Sequence, residues 1–195
     1  MRFEGFNDNW VRCNLGQIAN IVGGGTPDTS NPLYWNGNIN WFTPSEVGQT
    51  KYVTESKRRI SEAGLSDSSA KLLPKGSILL STRASIGLAS ISIGSEFVAT
   101  NQGFQSIVPN DPSDTEILYY AISCSDIQKD LQRRASGSTF PEISNTEVSL
   151  TKLFLPSSQN EKAKMVGFFS ILDKRIEVQN KIIEEALSLE SESTP

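Results

Sequence analysis

Apolar and polar positions change their period partway along this chain. Short apolar or alternating runs recur at 18–22 (IANIV), 39–42 (INWF), 77–81 (SILLS), 87–93 (GLASISI), 97–100 (FVAT) and 104–108 (FQSIV). Such runs predict strands. Gly and Pro punctuate them: Pro74-Lys75-Gly76 predicts one turn and Gly94-Ser95 another. Ser113-Asp114-Thr115-Glu116 then spells a capping box. It predicts a helix with Ile117, Ala121, Cys124, Ile127 and Leu131 on one face. Arg133 and Arg134 in its last turn suit the helix dipole, and Gly137 follows as a stop signal.

Beyond Pro156 the pattern differs in kind. Ser158-Gln159-Asn160-Glu161 is a second capping box, and from there to about Leu189 only Gly167 interrupts a helical pattern. Met165, Phe169, Leu172, Ile176, Gln179, Ile183 and Ala186 are spaced 4, 3, 4, 3, 4, 3, a heptad seam. Its single polar member, Gln179, can hydrogen-bond across the seam and fix register. About 30 helical residues make a rod of about 45 Å. That is longer than its own small globule could cover, so a partner helix is expected. The expected fold class is α/β (α+β): a domain of short strands and few helices over 1–156, a long coiled-coil helix over 157–190, and a frayed tail over 191–195.

Composition narrows the function. The chain has 195 residues and 37% hydrophobic content, enough for one domain with a core and an appendage. No run of about 18 apolar residues predicts a membrane span. The N-terminus MRFEGFNDNWVRC lacks a signal peptide's apolar stretch, and a cytoplasmic location is expected. Cys13 and Cys124 form no metal-like cluster, and a reduced pair fits that compartment. Histidine is absent altogether. That removes His-based general bases, Ser-His-Asp and Cys-His nucleophiles, and nearly all zinc sites. Nor is there a Gly-x-x-x-x-Gly-Lys-Ser/Thr phosphate loop. No catalytic residue and no metal site is expected, and the chain is expected not to be an enzyme by itself.

Net charge is −4, which argues weakly against a nucleic-acid partner. Its distribution points the other way. From Lys51 to Arg83 seven basic residues (Lys51, Lys57, Arg58, Arg59, Lys71, Lys75, Arg83) face three acidic ones (Glu55, Glu62, Asp67), a local +4. An ordinary charged surface and a phosphate-binding surface both fit that run.

Asn31-Pro32-Leu33-Tyr34 nearly matches the Asn/Asp-Pro-Pro-Tyr/Phe loop of amino-methyltransferases. There a polar side chain accepts from the exocyclic amine of an extruded base while an aromatic ring stacks on it. The second proline is missing here. The surrounding GGGTPDTSNPLYW is a run of turn formers and is expected to be only a loop.

A series of short words then points to a family. Trp10-Val11-Arg12, Leu15-Gly16-Gln17-Ile18, Gly24-Gly25-Thr26-Pro27, Tyr34-Trp35-Asn36-Gly37 and Ile39-Asn40-Trp41 come first. Ile60-Ser61-Glu62-Ala63-Gly64-Leu65, Leu73-Pro74-Lys75-Gly76-Ser77, Ser81-Thr82-Arg83-Ala84-Ser85-Ile86-Gly87 and Thr100-Asn101-Gln102-Gly103-Phe104 follow. Ala135-Ser136-Gly137-Ser138-Thr139-Phe140 and Leu172-Asp173-Lys174-Arg175-Ile176 complete the order. Together they resemble the specificity (S) subunit of type I restriction–modification enzymes. The family's helix entrance, Pro-Leu-Pro-Pro-x-x-Glu-Gln, is spelled here Leu155-Pro156-Ser157-Ser158-Gln159-Asn160-Glu161-Lys162.

The resemblance implies a non-catalytic, DNA-binding module with one target recognition domain and one long helix, where such subunits usually carry two of each. Two copies pairing antiparallel through the seam would rebuild the usual architecture as a homodimer. It also implies modification (M) subunits that bind S-adenosylmethionine, and restriction (R) subunits with ATP and Mg where cleavage occurs, so that every cofactor belongs to a partner. Double-stranded DNA is the expected ligand and no membrane is involved. Arg83, in a Ser-Thr-Arg-Ala-Ser turn, is the first candidate contact, since Arg suits bidentate phosphate or guanine binding. An internal salt bridge is its competing assignment. Lys71, Lys75, Arg58 and Arg59 belong to the same basic segment. Ser136, Gly137, Ser138 and Thr139, beside Arg133 and Arg134, offer N–H groups and hydroxyls for a phosphate, or else only a helix stop. Two other classes stay open: a stand-alone DNA amino-methyltransferase using Asn31 and Tyr34, and an S-like structural or decoy protein that sequesters M subunits.

Overall fold

The computed structural model describes residues 2–83, 85–137 and 141–192, with side chains to residue 188. In chain order the elements are β1 (Val11–Asn14), α1 (Leu15–Ile18), β2 (Ala19–Gly23), β3 (Trp35–Phe42), β4 (Tyr52–Val53), β5 (Arg58–Ile60), α2 (Glu62–Ser66) and β6 (Leu73–Pro74). Then come β7 (Ile78–Leu80), β8 (Ala89–Ser92), β9 (Phe97–Thr100), β10 (Gln105–Pro109), α3 (Thr115–Ser123), α4 (Ser125–Arg134), α5 (Asn145–Ser149), β11 (Lys152–Leu155) and α6 (Gln159–Glu192). They group into two compact units, Trp10–Leu155 and Met1–Asn9 with Pro156–Pro195.

The first unit holds a five-stranded sheet in the order β2-β10-β7-β8-β4, a four-stranded sheet β5-β3-β9-β6, and a ribbon of β1 with β11. The expected strands at β2, β3 and β7 to β10 are present; β1, β4, β5, β6 and β11 are additions. Phe42, Leu79, Val98 and Phe104 are fully buried in one core cluster, and Trp41, Ile60, Ala70 and Ala99 form a second. Strand β3 carries a bulge at which both Trp35 and Ile39 register with Ile60. Asn36 takes φ 60° there, a left-handed conformation that Asn tolerates, and a Cβ on Gly37 would lie 2.4 Å from Ser61 Cα. The bulge brings Trp35 back beside Ile60, on the same face of the strand as Ile39 and Trp41.

The single helix expected over about 115–134 is two helices. Cys124 has ψ 137°, so α3 ends and α4 begins there. Gln128 explains the break, because its amide donates to the carbonyls of Ile122 in α3 (2.7 Å) and of Gly87 (2.9 Å). The cap also lies earlier than expected: the Asp111 side chain accepts from Ser113 N (2.9 Å) in a short 3-10 turn before α3.

In the second unit α6 runs 34 residues, about 51 Å. Glu161 N donates to Ser158 Oγ (3.4 Å), consistent with the expected helix start. The N-terminal segment up to Asn9 belongs with this helix and not with the sheets. Arg2 grips the buried carboxylate of Glu161 through Nε (2.9 Å) and Nη2 (3.0 Å), and Phe3 meets Phe168 edge-on at 5.7 Å. Glu161 thereby holds the guanidinium of Arg2 well in its charged form.

Along the seam Met165 and Phe169 are half-buried, while Leu172, Ile176, Gln179, Ile183 and Ala186 are exposed. The apolar surface is wider than the seam alone. Phe168, Ile171, Val178, Ile182 and Leu187 are also exposed, Ile171 to 67%. At about 100° per residue the first four of these form a second stripe flanking the seam.

Candidate nucleic-acid interface

Four connections gather at one end of the five-stranded sheet. Gly23, ending β2, pairs with Gln105, beginning β10, and Leu80, ending β7, pairs with Ala89, beginning β8. Antiparallel order therefore puts the loop after β2, the 81–88 loop and the 101–104 turn on the same side, where parallel pairing with β8 also places the start of β4. Three separate sequence words, GGTP, STRASIG and TNQGF, meet there. Gly24 N donates to Phe104 O and Gly25 N to Thr100 O (2.9 Å), while the Thr26 hydroxyl bonds the exposed Gln102. Asn101 Oδ1 accepts from Gly103 N (2.8 Å) to hold the turn. Thr82 N donates to Gly103 O (2.8 Å), and Ile143 N to Thr82 O, which ties in the segment around 142. A rigid end of this kind presents polar loop groups on a fixed base, the arrangement that grafted recognition sites require.

The basic candidates do not form one patch. Arg58 and Arg59 lie on β5 and Lys71 and Lys75 flank β6, opposite edges of the four-stranded sheet. Their charges also differ in availability. Burial works against the charge of Lys51, but its bonds to Glu116 and Tyr120 inside the unit outweigh that cost and raise its pKa. Arg134 is held by Asp130 (2.7 Å) and Glu147 (2.9 Å), bonds that raise its pKa. Arg133 lies 3.8 Å from Asp130, and Arg59 3.6 Å from Glu55. Ser136 is bound to Glu142 through both backbone groups, and Gly137 takes φ 111°, as a stop demands. Ser138 and Thr139 lie outside the described residues.

Arg83, the first candidate, pairs with Glu142 at 2.7 Å, its competing assignment. The pair is solvent-exposed and contributes no more than about 1 kcal/mol. With its charge met inside the chain, Arg83 ranks behind Arg58, Lys71 and Lys75, none of which has a carboxylate at salt-bridge distance among the described residues. Arg83→Ala is accordingly expected to change the salt dependence of DNA binding by well under one unit. A titration of affinity against salt checks this. A fall of about one full unit would mean that Arg83 leaves Glu142 for a phosphate.

The Asn31-Pro32-Leu33-Tyr34 loop has a structural account. Asn31 Oδ1 accepts from Leu33 N (3.1 Å), capping a short 3-10 turn. Tyr34 directs its hydroxyl to Asp67, a bond that raises the phenol's pKa. Asp28 accepts from Ser30 N and Oγ, which lowers its pKa.

One feature of this region was not expected. Trp35 and Trp41 meet edge-on at 5.1 Å, and both indole N–H groups donate to the first loop, Trp35 to Asp28 O (3.1 Å) and Trp41 to Gly25 O (2.9 Å). The guanidinium of Arg58 lies 3.5 Å from the Trp35 ring centre. The only sequence signal was proximity of a Trp-rich strand to a basic run.

Known proteins place the chain. The model of the type I restriction modification DNA specificity domain matches residues 7–188. The specificity subunit of the type I restriction enzyme MjaIX from Methanocaldococcus jannaschii is 32% identical over 91% of this chain and 41% of its own length. That of EcoR124I/EcoR124II from Escherichia coli is 32% identical over 87% of this chain and 42% of its own. The chain thus spans about two fifths of these relatives' length. In fold it is similar to the S subunit of a type I restriction–modification system from M. genitalium, with TM-score 0.63 and 19% identity over 98% of this chain and 47% of that one. The HsdS subunit from Thermoanaerobacter tengcongensis gives TM-score 0.65 at 16% identity over 92% and 41%. Short mixed sheets with a long C-terminal helix are shared with both. The chain belongs to the family of type I restriction–modification specificity subunits, of which it contains one recognition domain and one long helix.

Proposed function

We propose that this chain recognises a DNA sequence as a homodimer and directs M subunits, and R subunits where restriction occurs, to a bipartite target. The observation that carries the proposal is the division of labour within a family member. One unit presents converging polar loops, and the other is a helix with an unusually broad exposed apolar surface. Phosphate contacts from Lys71 and Lys75 would set register while loop groups read base edges. Methyl transfer and cleavage, with S-adenosylmethionine, ATP and Mg, are assigned to the partner subunits.

The test is to co-purify the chain with its M partner and map methylated adenines across a genome. An interrupted, inverted-repeat motif is expected from the complex, with no methyltransferase, nuclease or ATPase activity from the chain alone. Methylation by the isolated chain would defeat the proposal, and its loss in Asn31→Ala would make the chain a stand-alone methyltransferase; a complex that methylates without sequence preference would defeat the proposal as well.

A further inference from the structure

We infer that Arg58 is a guanine-reading residue whose fork is fixed in plane by Trp35. The inference rests on the DNA-recognition reading above and names one of its specificity determinants. Trp35 cannot swing freely, because its N–H is bonded to Asp28 O and its edge is set against Trp41. Trp41 is anchored in turn to Gly25 O. On that platform the Arg58 guanidinium stacks at 3.5 Å from the ring centre, with the Trp41 ring at 5.7 Å. Stacking covers one face of the cation and leaves its N–H edge open to a ligand.

Arg58 is exposed, sits on an edge strand, and has no carboxylate at salt-bridge distance among the described residues. A stacked, unpaired guanidinium has lost most of its rotational freedom before any ligand arrives, which lowers the cost of forming two parallel hydrogen bonds. The base edge that offers two adjacent acceptors in the major groove is that of guanine, through O6 and N7. A phosphate also accepts a fork, and differs from guanine in carrying no base preference, which the experiment reads. An arginine serving only as a cap over the core would lie against the tryptophans without any effect on base preference.

The experiment uses the complex of this chain with its M partner and duplexes carrying the mapped target. Each target guanine is replaced in turn by 7-deazaguanine, which lacks the N7 acceptor. For the unaltered complex, one guanine per half-site is expected to show a loss of about tenfold in affinity on replacement. Arg58→Lys keeps the charge but not the fork. It should bind the normal target about tenfold more weakly and become insensitive to 7-deazaguanine at that position. Arg58→Ala should behave alike, with circular dichroism and thermal melting confirming its fold.

Equal weakening on target and unrelated DNA would make Arg58 a phosphate contact and overturn the inference. Unchanged binding by Arg58→Lys would make it a core cap and overturn it as well. A complex without Arg58 substitutions that shows no sequence preference would instead defeat the DNA-recognition reading itself.

Discussion

Phe169→Glu combined with Leu172→Glu is expected to convert the proposed homodimer wholly to monomer by light scattering and to abolish methylation of the mapped target by the complex. Both residues stand on the heptad seam, Phe169 half-buried and Leu172 39% exposed in the single chain. In a paired helix each would be enclosed by the facing copy. Two introduced carboxylates per helix would then be buried without partners, at a cost of several kcal/mol each. A dimer resting on one seam cannot absorb that. Circular dichroism should show the sheet unit unchanged, since Trp10–Leu155 form a separate compact unit. Two-fold symmetry makes the expected target two inverted copies of one half-site. Rods of about 51 Å would separate them by roughly 15 base pairs or fewer at about 3.4 Å each. A double mutant that stays dimeric, or an asymmetric mapped site, would rule out pairing of two copies through this seam.

Gly24→Ala should cost about 3 kcal/mol of stability, read as a lowered midpoint in urea. A Cβ at this position would lie 1.9 Å from Asn101 O and 2.6 Å from Thr100 O, both backbone atoms that cannot turn aside. The clash falls where the first loop crosses the start of the 101–104 turn, so base discrimination should decline together with stability. Gly167→Ala supplies the contrast. Its added Cβ meets nothing within 4 Å, and the change should stabilise α6 by about 1 kcal/mol. Equal stability of Gly24→Ala and the parent chain would mean that the loop and turn are not in the close contact described.

What could be read beforehand followed the range of the interactions. Strands β2, β3 and β7 to β10 contain apolar side chains at regular intervals, and α6 repeats a heptad, so local pattern sufficed. Strands β4 and β6 are the shortest of the set and draw their stability from pairing with β8 and β9, which lie well apart from them in sequence. No local pattern marks them. The break at Cys124 has no Gly or Pro to announce it; it depends on Gln128 reaching back to Ile122 and across to Gly87. The site divided similarly. The run from Lys51 to Arg83 was visible as charge, but which charges are available was not. Arg83 finds Glu142 on the far side of α3 and α4 in the chain, and Arg58 meets Trp35 because it pairs across the strands with Trp41, against which Trp35 packs.

The bare surface of α6 also bears on how long the protein lasts in a cell. Ile171, Ile176, Val178, Ile182, Ile183 and Leu187 are each more than half exposed on one rod, the kind of contiguous apolar display that chaperones and proteases recognise. A newly made copy without a mate would be a substrate for that surveillance, whereas a mated copy would hide the same residues. Abundance of the subunit would then follow the supply of its partners instead of its own rate of synthesis. Surplus recognition modules, able to occupy DNA without modifying it, would be cleared by the same helix that recruits them when they are needed.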